Sequence, residues 1–261
     1  MKYALGIDIG STATKAVIMT SEGKIAASAV VSIGTGTAGP KKALMEVLDK
    51  AGLDRDQITW TTATGYGRFS LEGADDQKSE LSCHAKGVSY LMPGTHTIID
   101  IGGQDIKVMS INDRGGLVNF VMNDKCAAGT GRFLDTMARV LNVEVTDLSD
   151  LSEKADEVAE ISSTCTVFAE SEVISKLSTN IKIENIVAGI HQSVAKRVTS
   201  LLKRCGIKET IAMSGGVALN KGLVKALENE AGCKIHVHEE CQLAGALGAA
   251  LYAMENTKKA S

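Results

Sequence analysis

The chain reads as an α/β protein built from two similar halves, and three observations predict this. An apolar strand ending in Asp-Ile-Gly occurs twice, as Leu5-Gly6-Ile7-Asp8-Ile9-Gly10-Ser11-Thr12 and as Ile98-Ile99-Asp100-Ile101-Gly102-Gly103-Gln104-Asp105, with Asp8 and Asp100 offset by 92 positions. After each tight turn a second strand begins at a lysine, Lys15 or Lys107, and the same run of strands and helices follows. A third glycine turn, Ser214-Gly215-Gly216-Val217-Ala218, comes late in the chain after a short strand.

In the first half, Lys24 to Val31 is a third strand. Pro40 suits the first turn of a helix, Ala43, Leu44, Val47 and Leu48 share one face at helical spacing, and Gly52 is its stop. A strand from Ile58 to Thr64 runs into the loop Thr64-Gly65-Tyr66-Gly67-Arg68, and a helix from Ser79 to Leu91 ends at Pro93-Gly94. The second half repeats this order from Thr97, with three strands to about Met122 and then the loop Asn123 to Gly131. Phe133, Leu134, Met137, Val140 and Leu141 mark the next helix, and Asp147 to Glu160 is polar helix and loop. Ser162-Ser163-Thr164-Cys165-Thr166 precedes a helix through Leu177. Ile183, Val187, Ile190, Val194, Val198 and Leu201 form a long core stripe closed by Cys205-Gly206. A strand from Thr210 to Met213, the Gly-Gly turn, a helix from Leu219, a strand from Lys234 to Val237 and a helix from Gln242 complete the chain.

At 261 residues, 44% apolar and with a net charge of −3, the chain can bury one large or two small cores. No apolar run approaches the ~20 residues of a membrane span, and Met1-Lys2-Tyr3 leads into a strand without a signal-peptide pattern, so a cytoplasmic protein is expected. No basic stripe interleaved with aromatics points to nucleic acid, and Lys258-Lys259 reads as a solvated tail. Six cysteines in a reducing compartment are thiols or metal ligands, and no Cys-x-x-Cys pair occurs.

A glycine turn after a strand brings backbone N–H groups close to phosphate oxygens, and an aspartate at the strand end can hold a hydrated Mg²⁺. Two such copies facing one another would clamp a nucleoside triphosphate. Neither a Walker motif nor a Gly-x-Gly-x-x-Gly fingerprint stands at a strand-to-helix junction. The three turns, in this order, resemble the superfamily of actin, Hsp70 chaperones, sugar kinases and acetate kinase. That resemblance implies an actin-like ATPase fold of two RNase H-like subdomains, each with a mixed five-stranded sheet, and a nucleotide cleft between them. The expected boundaries are 1–95, completed by the C-terminal helix 242–261, and 96–241. It also implies that Asp8 and Asp100 hold Mg²⁺ through water and that Gly10, Ser11, Thr12, Lys15, Gly102, Gly103 and Gln104 bind phosphates. Gly215, Gly216 and Ala218 to Asn220 border adenosine. Asp8 joins the catalytic set, and Gln104 or Asp105 orients the attacking water. Lys15 and Lys107 read equally well as strand-surface charges, and Glu80 with His84, one helical turn apart, as a structural hydrogen bond.

Cys126 and Cys165 each sit in a Ser/Thr/Gly-rich turn immediately before a helix, where the helix N-terminus stabilises a thiolate; as small turn residues they would need no such role. Cys83, Cys205, Cys233 and Cys241 fall in or beside helix and strand patterns and read as packing residues.

The whole chain resembles the ATP-dependent activators of 2-hydroxyacyl-CoA dehydratases, of the BadF/BadG/BcrA/BcrD type, which are close to the ATPase subunits of benzoyl-CoA reductase. The resemblance is carried by Gly6 to Thr12, Ala63 to Arg68, Ser79 to Ala85, Ile99 to Asp105, Asn123 to Phe133 and Ser163 to Glu172. It implies that Cys126 and Cys165 bind one [4Fe–4S] cluster shared across a homodimer. A cubane cluster takes about four thiolates, which two cysteines per chain supply only across a two-fold axis. The implied partners are a 2-hydroxyacyl-CoA dehydratase and, as electron donor, reduced ferredoxin or flavodoxin. Delivered with ATP hydrolysis, the electron would turn the hydroxyacyl thioester into a ketyl radical that eliminates water. The implied host is anaerobic. The rival enzyme readings are a small-molecule, sugar-type kinase with Asp124 as general base and the ATPase subunit of an aromatic acyl-CoA reductase, and the non-enzymatic one is a scaffold in which the two cysteines bridge Zn²⁺.

Overall fold

In the computed structural model, which describes residues 2–162 and 165–259, the first half of the chain forms seven elements. They are β1 (Tyr3–Ile9), β2 (Thr14–Thr20), β3 (Ile25–Val31), α1 (Gly39–Ala51), β4 (Ile58–Thr64), β5 (Asp76–Gln77) and α2 (Glu80–Leu91). The second half opens with β6 (Thr97–Ile101), β7 (Ile106–Ile111), β8 (Leu117–Asn123), α3 (Gly131–Leu141), α4 (Leu148–Glu153) and α5 (Thr166–Ser178). It closes with α6 (Ile183–Cys205), β9 (Ile211–Ser214), α7 (Lys221–Ala231), β10 (Ile235–Val237) and α8 (Ala244–Lys259). Ser163 and Thr164 of the predicted cysteine turn, Met1, and the side chains of Lys258 and Lys259 lie outside the described residues.

The strands form two mixed five-stranded sheets of matching order, β3-β2-β1-β4-β5 and β8-β7-β6-β9-β10. In each, the strand that ends in aspartate pairs antiparallel with its hairpin partner and parallel with the strand after the crossover. The fold is therefore the duplicated α/β architecture that the sequence predicts. Two compact units result, Met1–Thr95 with Ile111–Val118 and His238–Ser261, and His96–Ser110 with Asn119–Val237. Among the described residues no helix is long and apolar enough to cross a membrane.

Strand periodicity decides where Asp8 points. Leu5, Ile7 and Ile9 face one core together with Ala43 and Val47 of α1, whereas Ala4 faces the other core with Ala246, Leu247 and Ala250 of α8. Gly6 and Asp8 share the α8 face by the period of two. A Cβ at Gly6 would lie 2.1 Å from the Ala246 carbonyl, and one at Gly248 1.8 Å from that of Cys83 in α2, so these elements meet backbone to backbone.

Beyond shifts of a single residue, two helix starts and one strand differ from the sequence reading. The helix expected from Leu219 starts at Lys221, because Asn220 caps it by accepting from Leu223 N at 2.9 Å, and Gly216–Leu219 is a 3₁₀ turn. A 3₁₀ turn over Cys241–Leu243 likewise defers α8 to Ala244. The two-residue β5 has no periodicity to betray it; it exists through its register on β4, Thr62↔Asp76 and Ala63↔Gln77.

Candidate functional site

Both hairpins are built alike. Asp8 stands directly across from Lys15, and Asp100 across from Lys107. The turns close with the same bond, Gly10 N to Ala13 O and Gly102 N to Asp105 O, each 3.0 Å. Lys15 Nζ is 3.0 Å from Asp8 Oδ2. Both lysines are thus drawn in against carboxylates, and Lys107 is only 2% exposed. Ser11 and Thr12 sit half-buried at the first turn. His84, on α2, lies beside Asp8: a Cβ at Gly245 would be 2.8 Å from His84 Nε2 and 3.1 Å from Asp8 Oδ2. Glu80 is half-buried one turn earlier.

The second hairpin carries a carboxylate that the first lacks, since Asp105 stands where the offset of 92 places Ala13. Lys107 Nζ is 2.6 Å from Asp105 Oδ2 and 3.6 Å from Asp100 Oδ2. Ser214, at the end of β9, donates to Asp100 Oδ1 at 2.8 Å. Gly131 N and Arg132 N, from the first turn of α3, donate to the carbonyls of Gly102 and Gly103 at 2.9 and 3.0 Å. Gln104 lies against Arg132 and, with its amide oxygen turned to the guanidinium, accepts from Nη1 and Nη2 at 2.8 Å each. Both residues predicted to orient the water, Gln104 and Asp105, are therefore held by cations. Arg132 and Ser214 had no assigned role in the sequence, because their partners are fixed by tertiary packing.

A second equivalence escaped the sequence reading. β4 and β9 occupy matching places, with Thr64 opposite Asp8 and Ser214 opposite Asp100, so Gly65 is the counterpart of Gly215. Both are left-handed, at φ +85 and +89. A Cβ at Gly65 would lie 2.5 Å from Asp8 Oδ1 and from Ile9 O; at Gly215 it would lie 2.4 Å from Ile101 O and 3.0 Å from Asp100 Oδ1. Only glycine satisfies the dihedral and the approach together. Past Gly215, Gly216 and Leu219 are exposed, Ala218 is buried, and Asn220 is half-buried, with its Nδ2 3.1 Å from His191 Nε2 on α6. Burial pushes the pKa of His191 down to about 4.

The six cysteines form no disulfide and range from buried (Cys83, Cys205, Cys241) through half-buried (Cys126, Cys233) to exposed (Cys165). Cys165, exposed, is the N-cap residue of α5. Cys126, half-buried, sits in the loop that runs into α3, four residues before its N-cap Thr130, where Gly129 turns left-handed and Thr130 Oγ1 donates to Ala127 O at 2.6 Å. The Cys126 carbonyl accepts instead from Asn123 Nδ2 at 3.0 Å. The two helices that follow these loops, α3 and α5, pack against each other. Burial pushes the Cys83 thiol up to about 12 and raises those of Cys205 and Cys233, while Cys241 is fully buried. Asp124 is exposed in the loop after β8.

Comparison with known proteins agrees along the whole length. Residues 5–253 match the BadF/BadG/BcrA/BcrD ATPase family. The chain is 56% identical to the 2-hydroxyisocaproyl-CoA dehydratase activator of Clostridioides difficile, over 98% of this chain and 97% of that one. It is 54% identical to the (R)-2-hydroxyglutaryl-CoA dehydratase activating ATPase of Acidaminococcus fermentans, over 98% and 99%. The solved structure of the C. difficile activator with bound ADPNP superimposes with a TM-score of 0.97 at 55% identity, covering 99% of this chain and 96% of that one.

Proposed function

The chain belongs to the BadF/BadG/BcrA/BcrD ATPase family, and from that premise we propose that it is an ATP-dependent activator of a 2-hydroxyacyl-CoA dehydratase. It accepts one electron from reduced ferredoxin or flavodoxin and, with ATP hydrolysis, delivers it to the dehydratase. The observation that carries the reading is the duplicated hairpin with a buried aspartate held against a lysine at the same register in each copy.

For ATP, the turn residues Gly10, Ser11 and Thr12, and Gly102, Gly103 and Gln104, present donors to phosphate oxygens, joined by Lys15. Hydrated Mg²⁺ would be held by Asp8 and Asp100, where it would neutralise charge on the reacting phosphates. The donor set suits it: Asp8 and Asp100 are buried carboxylates at the ends of the two turn strands, the hard oxygen ligands that Mg²⁺ prefers. Asp105 or Gln104 positions the attacking water, and the Gly215–Asn220 turn borders the adenosine.

The two cysteines suit a metal cluster: Cys165 is exposed at the N-cap of α5, Cys126 is half-buried in the loop that leads into α3, and these two helices pack together. A [4Fe–4S] cluster held by Cys126 and Cys165 of two chains would supply a one-electron redox centre. Two thiols per chain require a second copy, and α5 is suited to meet one: Val167, Phe168 and Ile174 are 66%, 68% and 52% exposed just beyond Cys165.

Anaerobic purification followed by iron and acid-labile sulfide analysis tests the reading. The expected result is about four of each per dimer, lost on Cys126→Ser or Cys165→Ser. No iron after anaerobic reconstitution overturns the electron-transfer role. ATP consumption that requires a sugar and depends on Asp124 but not Cys126 identifies a kinase instead.

A further inference from the structure

We infer that His191 is a positioning residue for the adenosine turn: its Nε2 accepts the Asn220 side-chain amide and so fixes the residue that joins Gly216–Leu219 to α7. The inference rests on reading that turn as part of the nucleotide site. The proton assignment follows from the bonds Asn220 already makes. Its Oδ1 accepts from Leu223 N at 2.9 Å as the cap of α7, so the atom facing His191 is Nδ2, which can only donate. Nε2 is therefore the acceptor, and the neutral imidazole carries its proton on Nδ1.

Core packing does not account for this imidazole. His191 is 1% exposed on the buried stripe of α6, beside Val187, Ile190, Val194 and Ala195, and its Nδ1 has no partner among the described residues. A buried donor left unpaired is a cost that leucine or phenylalanine at this position would avoid. What the histidine gains is the bond to Asn220. Asn220 is the hinge of the element: its N–H donates to Val217 O to close the 3₁₀ turn, and its carbonyl accepts from Val224 N to begin α7, both at 3.0 Å. A side chain held at both Oδ1 and Nδ2 leaves that hinge one conformation, with Leu219, 55% exposed, presented beside it.

The test is ATP binding by calorimetry together with ATPase kcat and KM, for the wild type, His191→Phe, His191→Gln, Asn220→Ala and the His191→Phe/Asn220→Ala double variant. Loss of one such bond is expected to raise Kd and KM for ATP by up to about tenfold, with kcat changed less than about twofold. The double variant should bind no worse than Asn220→Ala alone, and His191→Gln, which keeps an acceptor, should bind within about threefold of wild type. If His191→Phe does not fold, Asn220→Asp, which keeps the Oδ1 cap of α7 and replaces the Nδ2 donor with an acceptor, reads the bond from the half-buried side, and an ATP affinity within about threefold of wild type in that variant overturns the inference. Wild-type affinity in both His191→Phe and Asn220→Ala, a fall in kcat without a rise in KM, or multiplying effects in the double variant overturns the inference. A wild-type chain that binds no ATP overturns the nucleotide reading instead.

Discussion

At the scale of single residues, Lys107 is a fully buried cation held between two carboxylates. Replacing it with methionine removes the ammonium that Asp100 and Asp105 share, and should cost about 3–5 kcal/mol in urea denaturation. Lys15→Met should cost less, since the Lys15 side chain is 15% exposed against 2% for Lys107. Asp100→Asn should lower ATPase kcat by about 10²-fold or more, measured at saturating Mg²⁺. His191 adds a pH dependence. Its pKa falls from 6.5 to about 4 on folding, through burial. The unfolded chain therefore takes up a proton below pH 6.5 that the folded chain refuses until about pH 4. Stability should decline as pH drops through that window, by up to about 1.4 kcal/mol per unit, and His191→Gln should remove that share of the slope. Chemical denaturation of both proteins at pH 7 and pH 5 reads the difference.

At the scale of elements, two contacts are decisive and different in kind. α2, β1 and α8 meet through glycines, and a methyl group at Gly248 would fall 1.8 Å from the Cys83 carbonyl, which is backbone and cannot swing aside. Gly248→Ala should therefore destabilise by about 3 kcal/mol or more, a fall in Tm of roughly 6–12 °C. α5 shows the opposite condition, an apolar face with too few neighbours: Val167 and Phe168 are each about two-thirds exposed. On the proposed homodimer with a shared cluster, Phe168→Glu should shift the protein toward monomer in sedimentation and lower its iron content together with its mass, while Tm of the remaining monomer changes little. The helices themselves were legible. The stripe from Ile183 to Leu201 became α6, and Pro40 and Gly52 mark the ends of α1 within a residue. The Cys126 loop was legible as well: the loop expected from Asn123 to Gly131 runs into α3 at Gly131, and what periodicity does not record is the Thr130 Oγ1 bond to Ala127 O that closes its last turn.

At the scale of the whole molecule, the activator reading predicts that the bound nucleotide changes how the iron is held. Iron release to a chelator should differ severalfold between protein saturated with ADP and with a non-hydrolysable ATP analogue; equal rates would count against coupling between the two sites. By itself the sequence determined the duplicated α/β plan, the two aspartate turns, the third glycine turn and the cysteines set apart from the other four, because each is written in local spacing: strand period, turn glycines and the residues beside a helix start. Only the tertiary structure decided which charges answer one another. Lys107 meeting both Asp105 and Asp100, Gln104 against Arg132, Gly65 as the twin of Gly215, and His191 holding Asn220 across 29 residues depend on strand register and helix packing. Those distances are fixed when the sheets form and the helices close over them, and chain spacing does not encode them.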